Sequence, residues 1–117
     1  MSRMSNDGYN GYQLKAFAHS DTLVTLYMDP DNADDYIDCF VQSVNGRQAL
    51  VTVVSQFGRY DGYVVLRLSD INMVLGEDGY SVRLKHILRL RGEAAPEQVT
   101  CAPDEDLIHA LCRAAME

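Results

Sequence analysis

The chain has 117 residues, of which 47% are hydrophobic and 23% are charged, and its formal net charge is −7. This length is typical of a single domain with its own core, and the composition is that of an ordinary globular protein. The acidic balance works against binding to phosphate backbones, which requires clustered Lys and Arg. A local basic face can still exist on an acidic chain, so the charge alone does not decide the question.

The cysteines are Cys39, Cys101 and Cys112, an odd number with no C-x-x-C pair. Such a set argues against a disulfide framework and favours a reducing compartment. The N-terminal sequence MSRMSNDGYNGY has no apolar segment of the kind found in signal peptides. No apolar run approaches the roughly 20 residues of a membrane-spanning helix. We therefore predict a cytoplasmic protein that does not bind membranes.

The N-terminal part of the chain predicts a tail followed by a short helix. Residues 1–10 are rich in Ser, Asn, Asp and Gly and are predicted to be disordered. Residues 11–19 place Leu14, Phe17 and Ala18 at positions i, i+3 and i+4, which is the spacing of one helical face. So short a helix depends on packing against the rest of the fold.

From Thr22 the sequence becomes rich in β-branched and aromatic residues, which favours strands. Turn signals separate five predicted strands, at residues 22–28, 36–44, 48–57, 63–68 and 71–75. Asn45-Gly46 is a strong hairpin signal between the second and third strands. Asp61-Gly62 is predicted to supply the positive φ of a tight hairpin between the third and fourth. Short strands joined by tight turns predict an antiparallel meander.

The third predicted strand is apolar on both faces, because ALVTVV at residues 49–54 has apolar side chains at odd and even positions. A strand buried on both sides fits the bent central strand of a small closed barrel better than an open single-layer sheet. Closure would also remove the exposed edges of so apolar a meander. We therefore predict a mainly β fold, a small closed barrel of five antiparallel strands.

After Gly79 the apolar period becomes helical, and the segment YSVRLKHILRLR predicts a helix with an apolar stripe of Tyr80, Leu84, Ile87 and Leu88. Pro103 and the acidic residues 104–106 predict the start of a last helix. Its predicted apolar face comprises Leu107, Ile108, Leu111, Cys112 and Ala115. The predicted organisation is thus a tail at 1–10, a barrel with flanking helices at 11–91, and a linker with a C-terminal helix at 92–117.

The order of these elements resembles that of Sm-like barrels. The stretch GYVVLRLSDINMV at residues 62–74 looks like the second Sm motif, in which a strand ending in Ile-Arg-Gly leads through a short bend into the last strand. More closely, TLVTLYMDPDNADDYIDCFVQSV with FGRYDGYVVLRLSDI resembles small uncharacterised bacterial proteins with an Sm-like or SH3-like barrel. The resemblance covers about residues 11–90 and implies a fold, and Sm-like barrels join into rings by pairing their strand edges.

The chain departs from the Sm pattern where RNA-binding members hold their ligand. Those members carry Asp-x-x-x-Asn in the hairpin between strands two and three, and Arg-Gly in the second motif. Here the hairpin at 44–47 reads VNGR, Arg67 is followed by Leu68, and Cys39 stands where a glycine is expected. The usual RNA pocket is therefore not expected from these residues.

The acidic stretch DPDNADDYID at residues 29–38 is a candidate calcium loop. An EF-hand requires Asp or Asn at its fifth position, Gly at its sixth and a bidentate Glu at its twelfth. Ala33 and Asp34 occupy the fifth and sixth positions, and no such Glu follows. We predict a solvated loop that leads into the second strand, and no metal site.

Basic and aromatic side chains supply the candidate binding residues. The basic side chains of the helix at 81–91 have two interpretations. They form a strip that binds nucleic acid or an acidic partner, or they lie on the solvated face of an amphipathic helix. Arg59 and Tyr60 at a loop tip can stack on a base, although tyrosine rings in small barrels commonly lie on the core. The predicted RNA- or partner-binding set is Arg59, Tyr60, Arg67, Arg83, Lys85 and Arg89.

No catalytic, cofactor or metal site is predicted. His109 and Cys112 have helical i, i+3 spacing, but two ligands do not make a zinc site, and Cys101 is the nearest third candidate. As a catalytic pair they lack an orienting Asn or Asp and an oxyanion loop, so Cys112 is predicted to pack as a small hydrophobe. Phosphate-loop, dinucleotide, serine-nucleophile and zinc-protease motifs do not occur.

These observations predict a non-catalytic binding or assembly module that forms homo-oligomers, with an unspecified protein partner. The reason for self-association is the segment VVLRLSDINMVL at residues 64–75, which is too apolar for a free sheet edge. The alternative is an Sm-like RNA-binding protein that uses the basic helix or Arg59, Tyr60 and Arg67. The acidic net charge disfavours that alternative.

Overall fold

A computed structural model describes residues 7–77, 79–92, 96, 98, 99, 101 and 105–116 of the chain. The described residues form helices α1 (Asp7–Phe17), α2 (Gly79–Arg91) and α3 (Leu107–Ala115), and strands β1 (Val24–Asp29), β2 (Asn32–Val44), β3 (Gln48–Val54), β4 (Tyr60–Arg67) and β5 (Met73–Leu75). A 3-10 turn, Leu68–Asp70, joins β4 to β5. No helix within these ranges is long and apolar enough to cross a membrane.

The five strands form one antiparallel sheet in the order β4-β3-β2-β1-β5. The predicted antiparallel five-stranded sheet is therefore confirmed. The predicted closure is wrong, because β4 and β5 are the terminal strands and no pairing joins them among the described residues. The sheet is open and has two free edges.

One face of the sheet forms the main core, which α1 covers. Leu14 is fully buried there, and Phe17 and Ala18 pack against the same cluster, as their spacing predicted. A Cβ atom on Gly11 would lie 3.1 Å from Leu68 Cδ1, so α1 lies close to the 3-10 turn. The buried members of the cluster are Leu14, Val24, Leu26, Cys39, Val41, Ala49, Val51, Leu68, Ile71 and Val74.

The other face of β3 is covered by helices. Leu50 packs with Leu107 and Ala110 of α3, and Val54 packs with Leu84 and Leu88 of α2. The burial of β3 on both faces was predicted correctly, but its cause is helix packing and not closure of the sheet. Apolar side chains on both faces of a strand indicate that both faces are covered, but they do not indicate which element covers them.

The acidic segment between β1 and β2 is strand where a loop was predicted. β2 begins at Asn32, four residues before the predicted start, and Asp29 is opposite Asn32 in the ladder. Only Pro30 and Asp31 remain for the turn, and the Asp29 side chain accepts a hydrogen bond of 2.9 Å from the Asp31 backbone N–H. Such an Asx turn closes a hairpin without a long loop.

The connection between β3 and β4 is a turn closed by a 2.8 Å hydrogen bond from Ser55 N–H to the Arg59 carbonyl. The predicted hairpin at Asp61-Gly62 is therefore wrong in position. Gly62 has the predicted positive φ, +93°, but it lies inside β4. There Asp61 and Gly62 lie opposite the single residue Val53, which is the arrangement of a β-bulge.

The helices differ from their predicted limits and faces in places. α1 begins at Asp7, so residues 7–10 of the predicted disordered tail are helical, while residues 1–6 lie outside the described residues. In α2, Leu84 and Leu88 are buried as predicted, together with Ser81, but Tyr80 and Ile87 are exposed. Of the predicted linker, residues 93–95, 97, 100 and 102–104 lie outside the described residues.

In α3 the predicted apolar face is rotated from the observed one. The helix buries Leu107 and Ala110, whereas Ile108, Cys112 and Ala115 are exposed. The sequence LIHALCRAA is apolar except at His109 and Arg113, so its apolar arc is wider than the face that packs, and periodicity alone could not choose which part of the arc is buried. The small side chain of Ala110 allows the helix to approach the sheet closely, which favours the observed side.

Candidate functional site

The predicted basic strip on α2 is largely paired with acidic side chains. Lys85 Nζ lies 3.4 Å from Asp21 Oδ2 and 3.2 Å from Glu77 Oε2, and only 13% of its side chain is exposed. Arg89 also pairs with Asp21. Two of the three predicted binding residues of this helix are thus engaged within the chain.

The remaining basic residues of α2 have different surroundings. Arg91 Nε donates a hydrogen bond of 3.1 Å to the Phe57 carbonyl, which fastens the helix to the turn after β3. Arg83 is exposed and makes no ion pair within the part of the chain that the structure describes. Among the described residues, Arg83 is thus the member of the predicted set on this helix that makes no ion pair, which favours the solvated-face interpretation.

Tyr60 is not a stacking platform at a loop tip. It is the first residue of β4, it is half-buried against the cluster of Leu23 and Val54, and its ring centroid lies 6.3 Å from that of Phe40. Its ring packs on the core, as the alternative interpretation expected. Arg59 is exposed at the end of the turn, so the two side chains have different surroundings, and their role in binding stays a prediction.

Arg67 lies at a cleft that the sequence did not reveal. A cavity of about 320 Å³ is lined by Arg47, Gln48, Arg67, Ser69 and Asp106, and we call it the hairpin cleft. A hydrogen bond of 2.8 Å from Leu68 N–H to the Arg47 carbonyl joins its two sides. Arg67 Nε lies 3.0 Å from Asp70 Oδ2, and because both side chains are largely exposed this pair contributes little to stability.

The start of α3 uses the polar groups of the hairpin beside this cleft. Gln48 Oε1 accepts a hydrogen bond of 2.9 Å from Leu107 N–H, and Asn45 Nδ2 donates one of 3.0 Å to the Glu105 carbonyl. The side chain of Asp106 caps α3 by accepting from Ile108 N–H at 2.8 Å. The β2–β3 hairpin thus holds the C-terminal helix in place.

Asp106 also sets the charge of the hairpin cleft. The Ile108 N–H, and after it the Gln48 side chain, hold the pKa of the Asp106 carboxyl below its usual value. The carboxylate is therefore an anion at neutral pH, and it lies in the same cleft as Arg47 and Arg67. A phosphate entering this cleft would meet two cations and one anion.

Cysteine and histidine side chains are the usual protein ligands of zinc. No group of three His, Cys, Asp or Glu side chains that could hold an ion occurs among the described residues. Burial, and then the charge of Asp38, raises the pKa of the Cys39 thiol, so this cysteine stays protonated. Cys112 is exposed, and its predicted packing as a hydrophobe is wrong. Cys101 packs against the cluster around Leu50.

The free edge of β4 carries backbone groups that the sequence did not single out. The Gln48 carbonyl accepts from Asn45 N–H at 3.0 Å, so the backbone of Gln48 faces β2. Since successive residues of a strand face alternate sides, its partner Arg67, and then Val65, direct their N–H and C=O away from β3. The Asn45-Gly46 hairpin signal fixes this register, and it is the feature from which these positions could have been derived.

The free edge of β5 is short and bears apolar side chains. Met73 is 46% exposed and Leu75 is 37% exposed, while Val74 between them is buried in the main core. Residues 64–67 of β4 and all of β5 belong to the segment at 64–75, which was predicted to be too apolar to stay uncovered.

No family model, no curated protein and no solved structure matches the chain. The resemblance to Sm-like barrels therefore stays a prediction. Among the features of the described residues are the edges formed by β4 and β5 and the hairpin cleft, which is lined by Arg47 and Arg67.

Proposed function

We propose that the protein is a non-catalytic binding or assembly module, and that its copies associate by pairing β4 of one copy with β5 of the next. The observation that carries the proposal is the open sheet, whose terminal strands are β4 and β5. Residues 64–67 of β4 and all of β5 belong to the apolar segment at 64–75. Two different edges that pair head to tail form a ring when the rotation between copies closes. The Sm-like resemblance of residues 62–74 agrees with this mode.

The length of β5 limits what the pairing can contribute. Three residues span roughly 10 Å at about 3.3 Å per residue, which allows only a few ladder hydrogen bonds. Each such bond contributes about 1 kcal/mol net, whereas association costs at least about 4 kcal/mol in lost freedom. Apolar contacts of Met73 and Leu75 have to supply the difference. We therefore expect assembly that depends on protein concentration.

The experiment measures molar mass by light scattering over a range of concentrations, with two variants at one position. In Val65→Pro the edge N–H is lost but the ladder with β3 is kept, because that N–H points outward. Val65→Ala shortens the same side chain and keeps the N–H. We expect the parent protein and Val65→Ala to assemble and Val65→Pro to remain monomeric. A monomeric parent protein at its highest soluble concentration would refute the proposal.

A second candidate function is RNA binding at the hairpin cleft. The observation that favours it is the position of Arg47 and Arg67 beside Ser69 in one cavity, where two guanidinium groups can contact a phosphate backbone. The carboxylate of Asp106 in the same cleft opposes it. Of the residues predicted to bind RNA or a partner, Arg67 is the one that lines this cleft.

Fluorescence anisotropy with a labelled single-stranded RNA at low salt tests this candidate. Arg67→Ala should weaken binding and reduce its salt dependence, because one phosphate contact is lost. Arg83→Ala is the matched control, since Arg83 is an exposed arginine on α2 outside the cleft. If Arg83→Ala has the larger effect, the basic helix is the binding surface; absence of binding at low salt eliminates RNA altogether.

A further inference from the structure

The first half of β2 has no neighbour on one side. β2 runs from Asn32 to Val44, but its pairing with β3 begins only at Asp38, opposite Val54. After Val54 the chain leaves the sheet into the turn closed by Ser55. Within the described ranges, residues 32–37 therefore have no ladder partner on β3: Asn32, Tyr36 and Ile37 pair with β1, and residues 33–35 lie in the register shift of that ladder. We call this stretch the open β2 edge.

Two observations show that backbone groups of Tyr36 point toward the open side. The Tyr27 carbonyl accepts from Asn72 N–H at 2.7 Å, so Tyr27 faces β5 and its ladder partner Tyr36 faces away from β1. Independently, Val54 faces β2 by the alternation derived above from the hairpin, so its partner Asp38 faces β3. Tyr36 lies two residues from Asp38 and faces the same side.

A notch marks the place where a further strand would lie. It has a volume of about 280 Å³, and its lining includes Asp34, Tyr36 and Asp38 on β2 and Val54, Ser55 and Gln56 at the end of β3. Continued antiparallel pairing would bring the residues after Val54 into this space opposite Tyr36. The chain turns away instead, so the notch continues the line of β3 beyond its end.

The charge around the open edge determines what it can accept. Asp31, Asp34 and Asp35 are exposed, and none of them makes an ion pair with a described residue. Pairing of this edge with the same edge of a second copy would bring like charges together, which is destabilising across strands. An extended segment with Lys or Arg side chains would be attracted instead.

We propose that the open β2 edge binds an extended, basic segment of a partner protein by strand addition. The segment continues β3 antiparallel to β2, exchanges backbone hydrogen bonds with Tyr36, and places its cationic side chains beside Asp34 and Asp35. Strand addition obtains its affinity from main-chain bonds and its specificity from alternate side chains. This edge is separate from the β4 and β5 edges, so a ring and a bound segment can coexist.

The first experiment uses fluorescein-labelled Lys-Val-Lys-Val-Lys-Val-Lys and measures its anisotropy with the full chain. The control peptide has the same charge, but every internal amide is N-methylated, so neither of its edges can donate to a ladder. We expect binding that weakens with salt, and at least about tenfold weaker binding of the methylated peptide from the loss of more than one hydrogen bond. Equal binding of the two peptides, or no binding at low salt, overturns the proposal.

The second experiment tests the position with paired variants. Tyr36→Pro and Tyr36→Val both lose the phenol ring, but only the proline loses the edge N–H. We expect Tyr36→Pro to bind the peptide several-fold more weakly than Tyr36→Val, and Asp34→Asn with Asp35→Asn to reduce the salt dependence. Far-UV circular dichroism checks that the variants fold. Equal affinities of the Pro and Val variants overturn the proposal, as does a loss of molar mass on Tyr36→Pro, which would identify a second copy as the occupant.

Discussion

Replacement of Gly58 by alanine should destabilise the fold more than replacement of any other described glycine at a turn or bulge. Gly58 has a φ of +74°, and a Cβ atom at this position would lie 2.4 Å from Ile87 Cγ2 and 3.0 Å from Ile87 Cβ. The residue thus joins the turn after β3 to α2 by direct contact. An added methyl group is opposed by the backbone conformation and by the helix.

The two costs can be estimated separately. A left-handed conformation costs a residue with a Cβ roughly 1–2 kcal/mol, and overpacking typically costs about 1–3 kcal/mol. Their sum is about 2–5 kcal/mol, a large part of the ~5–15 kcal/mol that stabilises an ordinary domain. For a chain of this size, such a loss lowers Tm by roughly 10–20 °C.

Two other glycines provide matched controls for thermal and urea unfolding. Gly62 also has a positive φ, +93°, but a Cβ atom added there would have no neighbouring atom within 4 Å, so Gly62→Ala should show only the backbone cost. Gly46 has neither constraint, and Gly46→Ala should be close to neutral. Equal destabilisation by Gly58→Ala and Gly62→Ala would refute the packing argument. Adding Ile87→Ala to Gly58→Ala should restore part of the loss, because the two substitutions share one contact.

Three further predictions concern the second face of the sheet and the titratable groups. Ala110→Leu should lower the free energy of unfolding by about 1–3 kcal/mol through overpacking, whereas Ala115→Leu on the exposed side should have little effect. Equal effects of the two substitutions in urea unfolding would contradict the burial of Ala110. Cys112 should react with a thiol reagent in the folded protein and Cys39 only on unfolding, because Cys39 is buried and its pKa is raised. Rapid reaction of both Cys39 and Cys112 in the folded protein would contradict the burial of Cys39. Since folding lowers the pKa of Asp106, its charge stabilises the fold at pH values above the ordinary pKa of 3.8, and this contribution is lost as pH falls through the folded pKa. Asp106→Asn, which can still cap α3, should make Tm depend less on pH in acid. An unchanged dependence of Tm on pH would contradict the assignment.

The local features of the sequence were sufficient to predict most elements of the fold. The period of Leu14 and Phe17, the Asn45-Gly46 turn and the β-branched runs each depend on neighbours in the chain, and each was confirmed. Closure of the sheet depends on contacts between distant parts of the chain. The apolar residues on both faces of β3 are expected whether a closing strand or a helix covers the second face. The buried face of α3 could not be chosen for a similar reason, since the apolar arc of that helix is wider than the face that packs.

The candidate site was harder to predict because pairing of charges depends on the tertiary structure. From the sequence, Lys85 and Arg89 were predicted to belong to a basic strip. In the structure both pair with Asp21, which lies more than sixty residues earlier in the chain. Tyr60 read as a loop tip because the turn was placed at Asp61-Gly62, and the actual turn puts its ring on the core. Strand edges were anticipated only as an apolar segment, without the direction of their backbone groups.

The bonds of Gln48 imply an order of events in folding. Its backbone closes the β2–β3 hairpin, a contact across three residues, while its side chain holds Leu107, which is 59 positions away. Local contacts form before distant ones because short loops cost less entropy to close. α3 should therefore dock after the hairpin and detach before it. In native-state hydrogen exchange, the amides of α3 should open at a lower free energy than those of β2 and β3.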